Sequence, residues 1–257
     1  MCEEKRAPKA LYEYFSAEGI ELFCYGITDS TNKRARERGQ IEGRAALFIA
    51  DGQTEGRGRL GRSFFSPDGT GLYMTLLTEA PKGDAFALMT SVAAVALREG
   101  ISRIFDVDTD IKWVNDLYLD GKKVAGILAE SFVCEDKRYV ALGMGVNLTT
   151  KEYPEELEGI AGAIVKDIES DELEVKRYAL AFEVTRGLLE ALERDTDGYM
   201  ERYRRYSCVI GKSIVFTQNG ESKRGEAVDI TPKGELLVKV DGETVSLSSG
   251  EITVRFE

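Results

Sequence analysis

Gln53-Thr54-Glu55-Gly56-Arg57-Gly58-Arg59-Leu60-Gly61-Arg62-Ser63-Phe64-Phe65 is the stretch on which the fold assignment turns. Three arginines and three glycines fall within the seven residues from Gly56 to Arg62, and two aromatics follow soon after. Glycine permits positive φ and close approach of the backbone to a ligand. Each arginine offers a planar fork of donors matched to carboxylate or phosphate. A cluster this dense repels itself unless an anion lies among its members; otherwise it is a solvated basic loop, and composition alone does not separate the two. Position favours the ligand, because Ala45-Ala46-Leu47-Phe48-Ile49-Ala50 reads as a buried strand leading straight into the loop, where α/β proteins place ligands. The letters Gly56-x-Gly58-x-x-Gly61 also fit the dinucleotide fingerprint of a doubly wound sheet, but that fingerprint needs a helix to open at the third glycine. Here the chain continues Ser63-Phe64-Phe65-Ser66-Pro67-Asp68-Gly69, aromatic and then turn-forming. The stretch therefore predicts an arginine–glycine loop folded over an anion, with aromatics to cover something flat.

The rest of the chain is acidic: 257 residues carry a net charge of -11 and no histidine. The length fits one large domain, or a large and a small one. Nonspecific nucleic-acid binding needs a broad basic face, and only a local patch is present. Without histidine there is no Ser–His or Cys–His nucleophile pair and no His-ligated metal. Catalysis would have to use arginine, lysine, carboxylates, backbone amides or a diffusible metal ion. The four cysteines (Cys2, Cys24, Cys134, Cys208) are scattered without a Cys-x-x-Cys, so reduced, mostly buried thiols are expected rather than a zinc or disulfide framework. No apolar run approaches the length of a membrane span, and Met1-Cys2-Glu3-Glu4-Lys5-Arg6 lacks the apolar core of a signal peptide. A cytoplasmic protein with no membrane partner is expected.

In chain order, residues 1–19 read as a short helix with Leu11, Tyr12 and Phe15 on one side, too short for a separate DNA-binding domain. Glu21-Leu22-Phe23-Cys24-Tyr25-Gly26-Ile27 is a strand. Asp29-Ser30-Thr31-Asn32 comes next, then a helix over 33–38 that ends at Gly39. These four residues are preferred N-caps. Their hydroxyls and amide also suit a pocket at a helix N-terminus, which favours a carboxylate or carbonyl, and both roles can hold at once. Gly71-Leu72-Tyr73-Met74-Thr75-Leu76-Leu77 is a further strand. Residues 84–98 form a helix that is apolar nearly all round, closed by Gly100 and therefore central. Ile111-Lys112-Trp113-Val114-Asn115-Asp116 leads through Leu117-Tyr118-Leu119 to an Asp120-Gly121 hairpin turn. The chain returns as Lys123-Val124-Ala125-Gly126-Ile127-Leu128-Ala129-Glu130, turns near Glu135-Asp136-Lys137 and returns again as Tyr139-Val140-Ala141-Leu142-Gly143-Met144-Gly145-Val146-Asn147.

This middle block predicts a largely antiparallel sheet with Lys112, Asn115, Asp116 and Lys123 as polar inserts. A single lysine on a strand is ordinarily a solvated surface residue. Lys, Trp, Asn and Asp within five residues, with a second lysine across a hairpin, is a less ordinary pattern. Residues 149–170 read as a mobile loop, with the small-residue run Gly159-Ile160-Ala161-Gly162-Ala163. Residues 172–194 read as an amphipathic helix with Val175, Ala179, Phe182, Leu189 and Leu192 on its core face. A second helix carries Tyr199, Tyr203 and Tyr206. From Gly211, short strands at 213–217, 223–230, 235–240, 244–248 and 252–256 are broken by Asn219-Gly220, Pro232-Lys233-Gly234 and Asp241-Gly242. They suggest a small barrel and a division into domains of 1–208 and 209–257.

Five segments together resemble the biotin protein ligases, which attach biotin to carboxylase carrier domains. They are Ser30-Thr31-Asn32; Gln53 with Gly56-Arg57-Gly58-Arg59-Leu60-Gly61-Arg62; Lys112-Trp113-Val114-Asn115-Asp116; Lys123 to Glu130; and Gly143-Met144-Gly145-Val146-Asn147. They occur in the family's order and at about its spacing, and Gly250-Glu251-Ile252-Thr253-Val254-Arg255 looks like its closing motif. The family often has Trp where this chain has Phe64 and Pro where it has Val114. The loop near Gly159 matches poorly. No helix-turn-helix precedes residue 20, so the resemblance is to members that are ligases only.

The resemblance implies an α+β fold of the class II aminoacyl-tRNA-synthetase/biotin-ligase type: a mixed, largely antiparallel sheet flanked by helices, with a small C-terminal SH3-like β-barrel. It implies an ATP-dependent ligase that converts biotin to biotinyl-5′-AMP, with Mg²⁺, and transfers it to a lysine of a biotin carboxyl carrier protein. Catalysis falls to Arg57, Lys123 and Asp116. Ser30, Thr31, Asn32, Gln53, Gly56, Arg57, Gly58, Arg59, Lys123, Gly126 and Gly145 bind biotin, the last two leaving room for its tail. Arg59, Arg62, Phe64, Lys112, Asn115, Asn147 and Arg255 serve the nucleotide, with Phe64 capping the pocket. No metal ligands are assigned. Homodimerisation by sheet extension is a family expectation, and DNA is not expected as a partner. The rival readings are a lipoate or octanoate ligase or transferase, whose glycine-rich motif usually carries a histidine, a biotin-sensing repressor, and a non-catalytic biotin-binding protein.

Overall fold

The computed structural model describes residues 4–193, 197–218, 221–248 and 252–254. Helix α1 (Lys9–Ala17) precedes β1 (Glu21–Thr28), α2 (Thr31–Glu42), β2 (Ala46–Gln53), β3 (Gly71–Glu79) and α3 (Asp84–Phe105). The strands β4 (Asp110–Lys112), β5 (Asp116–Leu119), β6 (Lys122–Cys134) and β7 (Lys137–Asn147) follow, then α4 (Ser170–Glu193) and α5 (Asp197–Arg205). Seven strands form one sheet in the order β1-β2-β3-β7-β6-β5-β4. Only β1 and β2 run parallel; every other pairing is antiparallel. The largely antiparallel sheet read from the hairpins is therefore present, and it is mixed, as the resemblance implies. Asp120 and Gly121 have φ of 50° and 75°, as a two-residue turn with both centres at positive φ requires.

Alternation along the strands divides the sheet into two faces. Leu47, Ile49, Leu72, Met74, Leu76, Val140, Leu142 and Met144 belong to the main core, which also includes residues of α1, α3 and α4. Phe48, Tyr73, Leu77, Tyr139 and Ala141 point the other way and pack with Ala35 of α2. α2 is short and covers only part of its face. On the uncovered part, β6 and β7 present Gly126 and Gly145, with Gly143 beside them under Asn32 of α2, and this is where the candidate site lies. By length and apolarity α3 could cross a membrane, but most of it is buried within the core.

Three sequence expectations are corrected here. The helix after Asn32 does not end at Gly39 but runs to Glu42 and stops at Gly43, whose φ is 56°. Gly39 is a packing glycine: a Cβ there would come within 2.6 Å of the Phe132 ring. Likewise α3 continues through Gly100, where a Cβ would meet Leu180 and Val184 of α4 at 3.0 Å each. In α4 the inward face is Leu173, Arg177, Leu180, Ala181, Val184 and Leu188, while Val175 is 69% exposed and Ala179, Phe182 and Leu189 are half-buried. The expectation for Leu192 lies outside the described side chains. A charged residue at the centre of the true stripe hid it: Arg177 is buried because its guanidinium meets Asp51 Oδ1 and the carbonyls of Gly69 and Gly71, each at 2.8 Å.

The C-terminal segment forms a second sheet of β8 (Ser213–Gln218), β9 (Glu221–Ile230), β10 (Leu236–Val240), β11 (Glu243–Leu247) and β12 (Ile252–Val254), ordered β11-β10-β9-β8-β12 and antiparallel throughout. Ile214, Phe216, Ile230, Leu236 and Val238 from this sheet join the same core as α3 and α5. The expected Asn219-Gly220 turn lies outside the described residues.

Candidate active site

A cavity of about 450 Å³ opens over the glycine floor. Its roof is the arginine–glycine stretch, folded as a tight hairpin. Arg57 bridges Ser63, Gly58 N–H donates to Arg62 O at 2.7 Å, and Phe64 N–H donates to Gly56 O at 2.9 Å. The tip turns through Leu60 and Gly61, with φ of 55° and 76°. Two backbone bonds, Thr54 N–H to Thr28 O and Glu55 N–H to Asp29 O, tie its base to the end of β1.

On the β2 side the cavity is polar and uncharged. Gln53 Oε1 accepts from the Thr31 backbone N–H at 2.8 Å and from the Thr31 hydroxyl at 3.1 Å, and Gln53 Nε2 donates to Ser66 Oγ at 3.1 Å. A glutamine from another strand thus satisfies one of the unpaired donors at the start of α2. Ser30 occupies the N-cap position but makes no side-chain cap bond, and it lines the cavity. Thr75 Oγ1 lies 2.7 Å from Asn32 Oδ1, while Asn32 Nδ2 donates to Glu130 Oε2 at 2.9 Å. Burial works to raise the Asp29 carboxyl, but Lys33, the Ser30 N–H and Arg34 together hold it below its ordinary 3.8.

On the β6–β5–β4 side the lining is cationic. Lys123 Nζ is 2.7 Å from Asp116 Oδ1 and 5.9 Å from the centre of the Phe64 ring. Arg59 Nη1 donates to Asn115 Oδ1 at 2.9 Å, and Asn115 Nδ2 donates to Ile127 O at 2.8 Å. This chain of bonds aims the Arg59 fork from a fixed strand. Lys112 Nζ donates to the Tyr118 hydroxyl at 3.2 Å, and burial raises the Tyr118 phenol above its ordinary range. Arg57 Nη1 stands 3.7 Å from Glu130. Four strand spacings separate β2 from β5, roughly 19 Å at about 4.8 Å each, so the cavity has one neutral end and one basic end.

Ser30, Thr31, Asn32, Gln53, Arg57, Gly58, Arg59, Arg62, Phe64, Lys112, Asn115, Asp116, Lys123, Gly126 and Gly145 all line this cavity. Two expected residues do not. Gly56 is the pivot of the hairpin, where a Cβ would lie 2.3 Å from Phe64 O. Asn147 turns away to donate to Gly162 O at 3.1 Å. Arg255 lies outside the described residues. Phe64 does not cap the entrance; its ring lies on the glycine floor, within 2.6 Å of where a Gly145 Cβ would be and 3.2 Å from a Gly126 Cβ. The space those glycines free holds this ring.

Sequence reasoning missed Gly143, Tyr118, Leu157 and Ile160, which also line the cavity. Gly143 carried a legible signal, since glycines two apart on a strand share one face. Leu157 and Ile160 carried none. They come from the expected mobile loop, which is strapped across β6: Lys123 N–H donates to Ile160 O at 2.8 Å and Gly162 N–H to Lys123 O at 2.9 Å.

The Biotin/lipoate A/B protein ligase family matches residues 26–147, and the Biotin protein ligase C terminal domain matches residues 209–255. The bifunctional ligase/repressor BirA of Bacillus subtilis (strain 168) is 36% identical over 157 residues, 57% of this chain and 46% of its own length. The chain thus spans about half the length of that relative. The biotin–[acetyl-CoA-carboxylase] ligase of Mycobacterium tuberculosis is 30% identical over 250 residues, covering 90% of this chain and 88% of its own. The biotin protein ligase from Aquifex aeolicus in complex with biotin and ATP superposes with a TM-score of 0.75 at 27% identity, over 92% of this chain and 99% of that one.

Proposed function

The chain belongs to the biotin/lipoate A/B protein ligase family, and we propose that it is an ATP-dependent ligase that activates biotin as biotinyl-5′-AMP and transfers it to a lysine of a biotin carboxyl carrier protein. The observation that carries this reading is the division of one cavity into a neutral hydrogen-bonding end and a cationic end. The ureido ring of biotin is a flat, uncharged set of donors and acceptors. Ser30, Thr31 and Gln53 offer it hydroxyl and amide groups, whereas the dithiolane of lipoate has no nitrogen or oxygen to meet them.

In the first step the biotin carboxylate attacks the α-phosphate of ATP, and the bond to pyrophosphate breaks. Two like charges at about 4 Å repel by about 4 kcal/mol at an effective dielectric of 20. Arg57 and Arg59 bind the carboxylate and phosphate and offset that repulsion, with Arg62 and Lys112 on the nucleotide side. Lys123 neutralises charge at the new carboxylate–phosphate junction. In the second step the acceptor lysine attacks the acyl carbon and AMP leaves, with Asp116 taking the amine's proton. Among the described residues no group of three or more Cys, Asp or Glu side chains could hold a metal. Mg²⁺ is usually held by one or two carboxylates together with substrate phosphates, and it is assigned here to the triphosphate as part of the substrate.

Supporting the finer expectations are the family match over 209–255, for an SH3-like barrel and a division at 208/209, and the acidic net charge, for the absence of a DNA partner; a cytoplasmic enzyme without a membrane partner is proposed with them. Homodimerisation by sheet extension would have to share an outer edge, since Glu4 and Lys5 bond along β1 and residues 206–208 along β4.

The test is ATP–pyrophosphate exchange with Mg²⁺ and no acceptor protein. Exchange with biotin and not with lipoate is expected. Tight biotin binding without exchange would leave a non-catalytic pocket, and exchange with lipoate alone would reverse the substrate assignment.

A further inference from the structure

The turn formed by residues 113–115 carries the site's chemistry on little local support. It joins a three-residue strand, β4, to a four-residue one, β5. Lys112, Asn115 and Asp116 project from it into the cavity, and Asn115 in turn aims Arg59. On the inner side Asn115 is held by Ile127, through its side chain and through the Ile127 N–H to Asn115 O bond. The outer side is held by residues far along the chain. Tyr203 of α5, fully buried, donates its hydroxyl to Val114 O at 3.0 Å. Trp113, 3% exposed, donates its indole N–H to Gly234 O at 2.9 Å, in the turn between β9 and β10. Ile111 exchanges backbone bonds with Tyr206 and Cys208 at 2.8 and 3.0 Å.

We propose that Tyr203, together with the Trp113–Gly234 pair, is a positioning element for the phosphate end of the site. It fixes the backbone of 113–115 so that Lys112 and the Asn115–Arg59 pair stand at set places when the nucleotide arrives. A carbonyl that accepts from a buried phenol cannot rotate without giving up that bond, and the same holds for the bond from the indole N–H. Tyr203 lies outside the cavity lining and acts without touching substrate, whereas Trp113 also lines the cavity, so Tyr203→Phe is the decisive variant. Ser30, Thr31 and Gln53 lie across the sheet and do not depend on this pin.

The inference rests on the function proposed above, and the experiment separates the two. Tyr203→Phe removes only the hydroxyl and keeps the ring in the core; Trp113→Phe removes the indole N–H and serves as the second variant. In biotin-dependent pyrophosphate exchange, Tyr203→Phe should lower kcat about tenfold and raise KM for ATP about fivefold, with KM for biotin unchanged, as a small misplacement of reacting groups does. A loss of folded protein alone would lower kcat and leave both KM values where they were, and that result would overturn the proposal. So would native constants in both variants, or equal shifts for the two substrates. Amide hydrogen exchange over 113–117 gives a readout independent of activity: protection should fall in both variants. If the native chain catalyses no exchange at all, the proposed function fails, and the amide measurement alone decides whether the pin is real.

Discussion

Gly145 and Phe64 stand so close that a Cβ on the glycine would lie 2.6 Å from the phenyl ring. Gly145 is paired on both sides, to Tyr73 in β3 and Gly126 in β6, so the backbone has nowhere to retreat and the ring must move. Gly145→Ala should therefore weaken biotin binding about tenfold, in line with the roughly 1–3 kcal/mol cost of overpacking. Titration calorimetry measures it; native affinity would mean that the Phe64 ring is not a wall of the site.

Lys123→Ala removes the ammonium 2.7 Å from Asp116 and leaves that carboxylate facing the incoming phosphates. The loss of transition-state stabilisation should be roughly 3 kcal/mol, about a hundredfold in rate. Arg57→Ala should cost a similar amount. Single-turnover formation of the adenylate is the measurement, and native rates in both variants would remove these two residues from the mechanism.

Arg177→Met should destabilise the whole protein. The guanidinium is 4% exposed and makes three bonds of 2.8 Å, to Asp51, Gly69 and Gly71. Breaking a buried pair by removing one partner costs about 3–5 kcal/mol. Lys5, 2.8 Å from Asp51, compensates part of the charge, so the lower end is expected in urea unfolding. A loss under about 1 kcal/mol would show that the neighbouring backbone relaxes instead.

Alkaline pH should unfold the protein through its buried thiols and phenols. Burial pushes the Cys24 thiol up from 9.0 to about 12 and that of Cys208 up to about 11. A group whose pKa is higher in the folded state contributes fully below its unfolded value and loses that contribution as pH rises toward the folded one. Stability should fall from pH 9 upward, at first through the thiols and above pH 10 also through Tyr73 and Tyr203, which burial likewise raises. Urea midpoints against pH measure the slope, and Cys24→Ala should flatten its first part. An unchanged slope in that variant would assign it to Cys208 and the phenols.

Much of the sheet was legible because its signals are local. The Asp120-Gly121 turn and the alternation along β6 and β7 act within a few residues. Helix ends were less legible where glycine had a packing role. Gly39 and Gly100 look like stop signals in one dimension, yet each admits a neighbouring side chain in three. The inward face of α4 was misread because Arg177 interrupts its apolar stripe, and only Asp51 on another strand explains why a guanidinium belongs there.

By itself, the sequence determined the strands and hairpins, the arginine–glycine loop, the family, and many of the residues that line the cavity. These follow from periodicity, turn chemistry and motif order, which are properties of neighbouring residues. Only the tertiary structure decided how those residues meet. Gln53 reaches the first turn of α2, 22 residues away. Phe64 takes the space over Gly126 and Gly145. The turn bearing Lys112 and Asn115 is pinned by Tyr203 and Gly234 across separations of 89 and 121 residues. The physical reason is that a hydrogen bond or a packed ring depends on distance in space, and no local pattern in the chain encodes which remote partner will close it.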